Sequence, residues 1–188
     1  MEEIGQSMSH DAEFPFPPDE AGEPAGADAV DRIVGQWRRE RPDLDASPAH
    51  VIGRISRLHW ALEDGLCRVF ERYDLGRGEF DVLGTLRRSG APFELTAGEL
   101  RESTMVTSGA VTKRVDRLER AGLVVRRAAE DDARGRLIRL TDRGRELIDE
   151  VVAEHFRNET RLLGGLSEEE RSSLTYLLRK LGRTLPRD

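Results

Sequence analysis

One stretch of the 188-residue chain places hydrogen-bonding and cationic side chains on a single helical face. From Thr107 to Gly122, a helical wheel puts Val111, Val115 and Leu118 on one side, with Gly122 beneath them. Gly109, Thr112, Lys113, Asp116, Arg117 and Arg120 fall on the other side. Small and hydroxyl residues come first and cations follow, which is the order needed by a helix whose first turns enter a major groove. Gly109 permits close approach, Ser108 and Thr112 can bond phosphates or base edges, and Lys113 and Arg117 can neutralise phosphates or read guanine. Further on, Arg134 stands beside Asp132 in a polar loop, and arginine suits a narrow, electronegative minor groove. The plainer alternative is an amphipathic helix beside a hairpin.

The flanking sequence supplies elements that would position this face. Thr96 is placed to cap a short helix, Ala97 to Ser103, anchored by Leu100; a turn through Thr104, Met105 and Val106 then leads to Thr107, which caps the next helix. That order is a helix-turn-helix, closed by Gly122 as its C-terminal glycine. Two β-like runs, Leu123 to Arg127 and Arg136 to Leu140, bracket the polar segment Ala128 to Gly135 and read as a hairpin wing. Upstream, apolar spacing predicts helices over Asp28 to Arg41, from Ser47-Pro48 to about Tyr73, and over Arg77 to Arg88. Downstream, Thr141 caps a long helix to about Leu163, and Ser167 with Glu170 forms a capping box before a last helix carrying Leu174, Leu177, Leu178 and Leu181. The fold class is mainly α with one β-hairpin wing. Residues 1–27 form a disordered acidic tail containing prolines, and 28–188 form a single domain.

The net charge of −6 argues against a nucleic-acid partner until its distribution is considered. Residues 1–28 hold eight acids and no Lys or Arg, whereas Arg101 to Arg145 holds twelve Lys or Arg against seven acids, a local +5. No apolar run reaches the roughly 20 residues that span a bilayer, and the start lacks a signal-peptide pattern. A single cysteine, Cys67, fits a reducing compartment, so a cytoplasmic protein without a membrane partner is expected. No phosphate-binding glycine loop or nucleophile elbow points to an enzyme. His10, His50, His59 and His155 make no metal spacing with Cys67, so neither metal nor cofactor is expected. His59 and His155 read as interface or core residues.

The segments Leu95–Leu100, Val106–Val124 and Asp131–Gly135, continued by Leu140-Thr141 and Gly144, resemble the MarR family of winged helix-turn-helix regulators. The likeness covers about Ser47 to Leu181. It departs at Ala133, where many relatives carry Lys or Arg. The resemblance implies a homodimer built by helices in 28–75 and 141–188, with 76–140 as the DNA-binding lobe. It also implies a double-stranded, pseudo-palindromic DNA operator near the regulator's own promoter and a ligand that releases the DNA. Gln36–Asp45 and Glu79–Leu83 resemble a urate-responsive subgroup with an extra N-terminal helix. By its motif the ligand residues fall on Trp37, Asp81, Arg114 and Arg126, for a small anionic effector such as urate, a related purine or trans-aconitate. Arg114 independently sits on the flank between the core side and the outer side of its helix. Other readings stay open: Trp37 as a packing anchor, Asp81 as a solvated acid, Arg126 as a phosphate contact, Cys67 as a redox sensor, and the winged helix as a protein-interaction module.

Overall fold

Among the described helices, three start at side-chain caps that the sequence announces. In the computed structural model, which describes residues 26–103, 108–128 and 136–185 (for 108–110 and 128 the backbone only), Asp28 caps α1 (Ala29–Glu40) through the Val30 and Asp31 amides. Asp31 returns the bond to the Asp28 amide, completing a capping box. α2 (Ala49–Glu71) and α3 (Arg77–Arg88) follow, and Gly90 adopts φ +84° just beyond α3. Thr96 and Glu99 bond reciprocally at the head of α4 (Ala97–Ser103). α5 (Ser108–Arg120) ends in a Schellman arrangement: the Leu123 amide donates to the Leu118 carbonyl and the Gly122 amide to that of Glu119, with Gly122 at φ +71°. Thr141 caps α6 (Asp142–Leu162), and the capping box of Ser167 and Glu170 opens α7 (Glu168–Gly182).

The hairpin lies one residue later than the spacing suggests on its first strand, β2 (Val124–Ala128), and as expected on β3 (Arg136–Leu140). A strand the sequence did not announce, β1 (Glu94–Thr96), pairs with the far edge of β3 and gives an antiparallel sheet of order β1-β3-β2. Three residues are too few to display an alternating pattern, which is why periodicity missed it. The wing segment 129–135, with Asp132 and Arg134, lies outside the described residues, as do the tail 1–25 and Thr107.

The chain divides into two units, residues 1–62 and 63–188, the boundary falling inside α2. In the first unit, Arg54 ties α2 to α1 by ion pairs to Asp28 (2.9 Å) and Asp31 (2.7 Å). Ala29, Val30 and Val34 are buried, and Trp37 is 54% exposed in the single chain. Val51, Ile52, Leu58 and Trp60 of α2 are exposed as well. In the second unit, Val69, Phe70 and Leu75 meet Val82, Leu83 and Leu86 of α3, Leu100 of α4, and Val111, Val115 and Leu118 of α5. Val124, Ile138 and Leu140 of the sheet and Ile148 and Val151 of α6 complete this core. His155 is buried there against Phe70 and Phe80, a core residue as anticipated. α7 buries none of its side chains, and Leu177 and Leu178 stand exposed. No described helix is long and apolar enough to cross a membrane.

The exit of α5 is locked onto the start of α6. The Thr141 amide donates to the Leu123 carbonyl at 3.1 Å, and the Thr141 hydroxyl donates to the Gly122 carbonyl at 2.8 Å. Gly144 makes this approach possible, since a Cβ there would lie 2.0 Å from the Leu123 carbonyl oxygen. Backbone cannot swing aside as a side chain can. Gly144→Ala is therefore expected to lower stability by about 1–3 kcal/mol, read as a reduced urea midpoint; an unchanged midpoint would contradict the close approach.

Candidate nucleic-acid interface

α5 presents the face that its sequence implies. Val111, Val115 and Leu118 are 4%, 1% and 1% exposed, and this seating turns Thr112, Lys113, Asp116, Arg117 and Arg120 outward. Thr112 and Lys113 make no hydrogen bond or ion pair among the described residues, so both are available to a ligand such as DNA. Ser108 and Gly109 lie on the backbone of the first turn, where a groove-entering helix makes its base contacts.

The other cations of the helix are partly engaged. Arg117 leans toward the head of α3, with Nη2 3.6 Å from the Asp74 carboxylate and Nη1 4.0 Å from that of Glu79. Both are long, and the one to Asp74 is solvent-exposed and of the kind worth little in water, so Arg117 can exchange it for phosphate. Arg120 Nε donates to the Asp116 carbonyl of its own helix at 3.3 Å.

Of the four expected effector residues, three lie in the second unit and Trp37 lies in the first. Arg114 is half buried on the flank of α5, its side chain laid across Gly78 of α3. A Cβ at Gly78 would fall 2.0 Å from Arg114 Nε. Arg114 Nη1 is buried with no hydrogen-bond partner, a costly state for a cationic donor. Asp81 stands three residues after Gly78, on the same side of α3. It is half buried and already engaged rather than a freely solvated acid, and its carbonyl accepts from the Thr85 hydroxyl at 2.7 Å. Arg126, on β2, pairs its guanidinium with Asp116 and Glu119 of α5, and its amide donates to Glu119 at 3.1 Å. Arg126 thereby fastens the sheet to the C-terminal half of α5.

Sequence reasoning missed Gly78, Glu119 and the two acids beside Arg117. The glycine pair Gly76 and Gly78 at a helix start was the one available signal, since such residues weaken a helix unless something packs against them. Cys67 is half buried, its thiol donating to Glu63 at 3.7 Å; burial, with Glu71 and Asp64 nearby, pushes the thiol up from its ordinary value. That is the reverse of a thiolate-forming sensor. Among the described residues, no three His, Cys, Asp or Glu gather to hold a metal.

A helix-turn-helix whose second helix is seated by its apolar side, followed by a β-hairpin, defines a winged-helix unit. The MarR family pattern matches residues 73–135. The transcriptional regulator PecS of Dickeya dadantii (strain 3937) is 44% identical over 156 residues, 83% of this chain and 94% of that protein. Among solved structures, BpsR of Bordetella bronchiseptica, whose DNA binding is regulated by 6-hydroxynicotinic acid, aligns with a TM-score of 0.63 at 26% identity over 70% of this chain and 92% of that one. A mutant MarR from E. coli complexed with operator DNA aligns with a TM-score of 0.62 at 26% identity, over 80% and 98% of the two chains. The chain belongs to the MarR family and is a DNA-binding transcription regulator of the PecS type.

Gly78→Ala is expected to evict Arg114 from its seat. The Arg114 Nε–H resonance should shift toward that of a solvated arginine, while the α5 fold persists. A resonance that does not move would show that Arg114 does not depend on the missing side chain.

Proposed function

We propose that this regulator is a repressor of its own gene and a divergent gene, held as a homodimer on a pseudo-palindromic operator and released by a small anionic ligand. The observation that carries the ligand reading is the buried, unpartnered Nη1 of Arg114 on the reading helix itself. An anion supplies what that donor lacks, and charge-assisted bonds of this kind are the strong ones. The regulation of BpsR by 6-hydroxynicotinic acid, an aromatic acid, supports the same ligand class. The proposed ligand residues are Trp37, Asp81, Arg114 and Arg126, and the ligand is urate, a related purine or a polycarboxylate such as trans-aconitate.

The homodimer reading rests on the exposed apolar residues of α2 and α7, which need a partner surface. It assigns 28–75 and 141–188 to dimerisation and 76–140 to DNA binding. Two reading helices related by a two-fold axis must sit about 34 Å apart to occupy successive major grooves. In this reading Thr107, Ser108, Gly109, Thr112, Lys113, Arg117 and Arg120 meet the major groove, and Asp132 and Arg134 serve the wing. An anion drawing on Arg114 and Arg126 competes with Asp116 and Glu119 for Arg126. That loosens the tie between β2 and α5 and favours dimers whose reading helices no longer match the groove spacing.

The test is binding to the gene's own upstream DNA at several salt concentrations, with and without urate and trans-aconitate. The expected result is specific binding with a slope of about −0.9 per neutralised phosphate, relieved by one of the two anions. Arg114→Ala should retain operator binding and lose about tenfold or more in response to the anion, the scale of one charge-assisted bond. Binding that neither anion relieves contradicts the ligand assignment.

A further inference from the structure

The last two residues of α3 are both arginines, and they reach in different directions. Arg87 turns to α6, where Nε donates to Asp149 at 2.6 Å, and its guanidinium carbon lies 4.9 Å from the centre of the Phe93 ring. Arg88 turns to α4, where Nη2 donates to the carbonyl of Ser103 at 2.7 Å. Ser103 is the final residue of α4, and five residues later the reading helix begins. The last carbonyls of a helix have no partner within it and carry the negative end of its dipole. Arg88 satisfies one of them with a charged donor. α4 is only seven residues long.

The two ends of the reading helix are therefore held by different devices. Its exit is fixed by Gly122, Leu123 and Thr141, as described above. On the approach side, Arg88 is a bond from α3 to the end of α4. Base-reading groups cluster at the start of a recognition helix, whereas phosphate contacts are spread along it. A shift at the approach thus costs base contacts first. We infer that Arg88 is a positioning residue for DNA reading, which sets the entry of the reading helix by capping α4. This inference rests on the DNA-reading role of α5 and adds a residue that touches no DNA. The competing role for an exposed arginine here is a direct phosphate contact, and the two make opposite predictions about salt.

Full-length wild-type protein, Arg88→Gln and Arg88→Lys are titrated with operator DNA and with a scrambled duplex across a salt series, after thermal melts establish that each variant folds. For a positioning role, Arg88→Gln weakens operator binding about fivefold, the scale of one hydrogen bond. Its binding to the scrambled duplex and its salt slope match wild type, and Arg88→Lys recovers part of the loss. Three results overturn the inference: a slope shallower by about 0.9 with operator and scrambled binding falling alike, which marks a phosphate contact; no change in either duplex; or a loss in Arg88→Lys equal to that in Arg88→Gln. Wild-type protein that fails to prefer operator over scrambled DNA would instead undermine the DNA-reading role of α5 itself.

Discussion

The outward face of α5 is set by how that helix is seated. Val111, Val115 and Leu118 are buried almost completely, and each such side chain contributes about 1.5–3 kcal/mol relative to exposure. That burial decides which side of the helix faces water, and so it aims Thr112, Lys113, Arg117 and Arg120 without any direct contact among them. The seat has one unusual feature: Arg114 leaves the same helix on its flank and crosses α3 where Gly78 offers no side chain. On the proposed reading, a ligand held by Arg114 acts on the same helix that meets DNA, and no long relay between the two is required.

The electrostatics follow a similar logic of local exceptions. The chain as a whole is acidic, at −6, yet the segment around α5 and the hairpin is basic. Two acids within that segment, Asp116 and Glu119, hold Arg126, while Asp74 and Glu79, from outside it, stand at longer range from Arg117. The tight pairs fasten the sheet to the helix. The loose ones leave Arg117 able to change partners, and Lys113 has none among the described residues. A surface built this way keeps its scaffold when salt screens its weaker contacts.

How much of this could be read from the sequence depends on whether the signal was local. The capping residues Thr96, Thr141 and Ser167, the glycine Gly122 and the stripe of α5 each act within a few residues of themselves, and each was legible. β1 was not, because its partner β3 lies more than forty residues away and three residues show no period. Glu119 and Arg88 act across elements, and spacing along the chain carries no trace of such contacts. Trp37 was read as one of an apolar stripe and stands exposed instead. Its neighbours Val30 and Val34 fill the space that α1 buries within the single chain.

The central claim is that the outward face of α5 reads base pairs. The measurement that tests it most directly is a panel of operators carrying each single base-pair change in one half-site, bound by wild type, Thr112→Ala and Lys113→Ala. If α5 reads the groove, wild type loses about 1–3 kcal/mol at a few positions, and each variant becomes indifferent to the base at one of them while keeping its preferences elsewhere. If both variants instead weaken binding equally across the whole panel, the face contacts only backbone phosphate, and the sequence is read by another part of the protein.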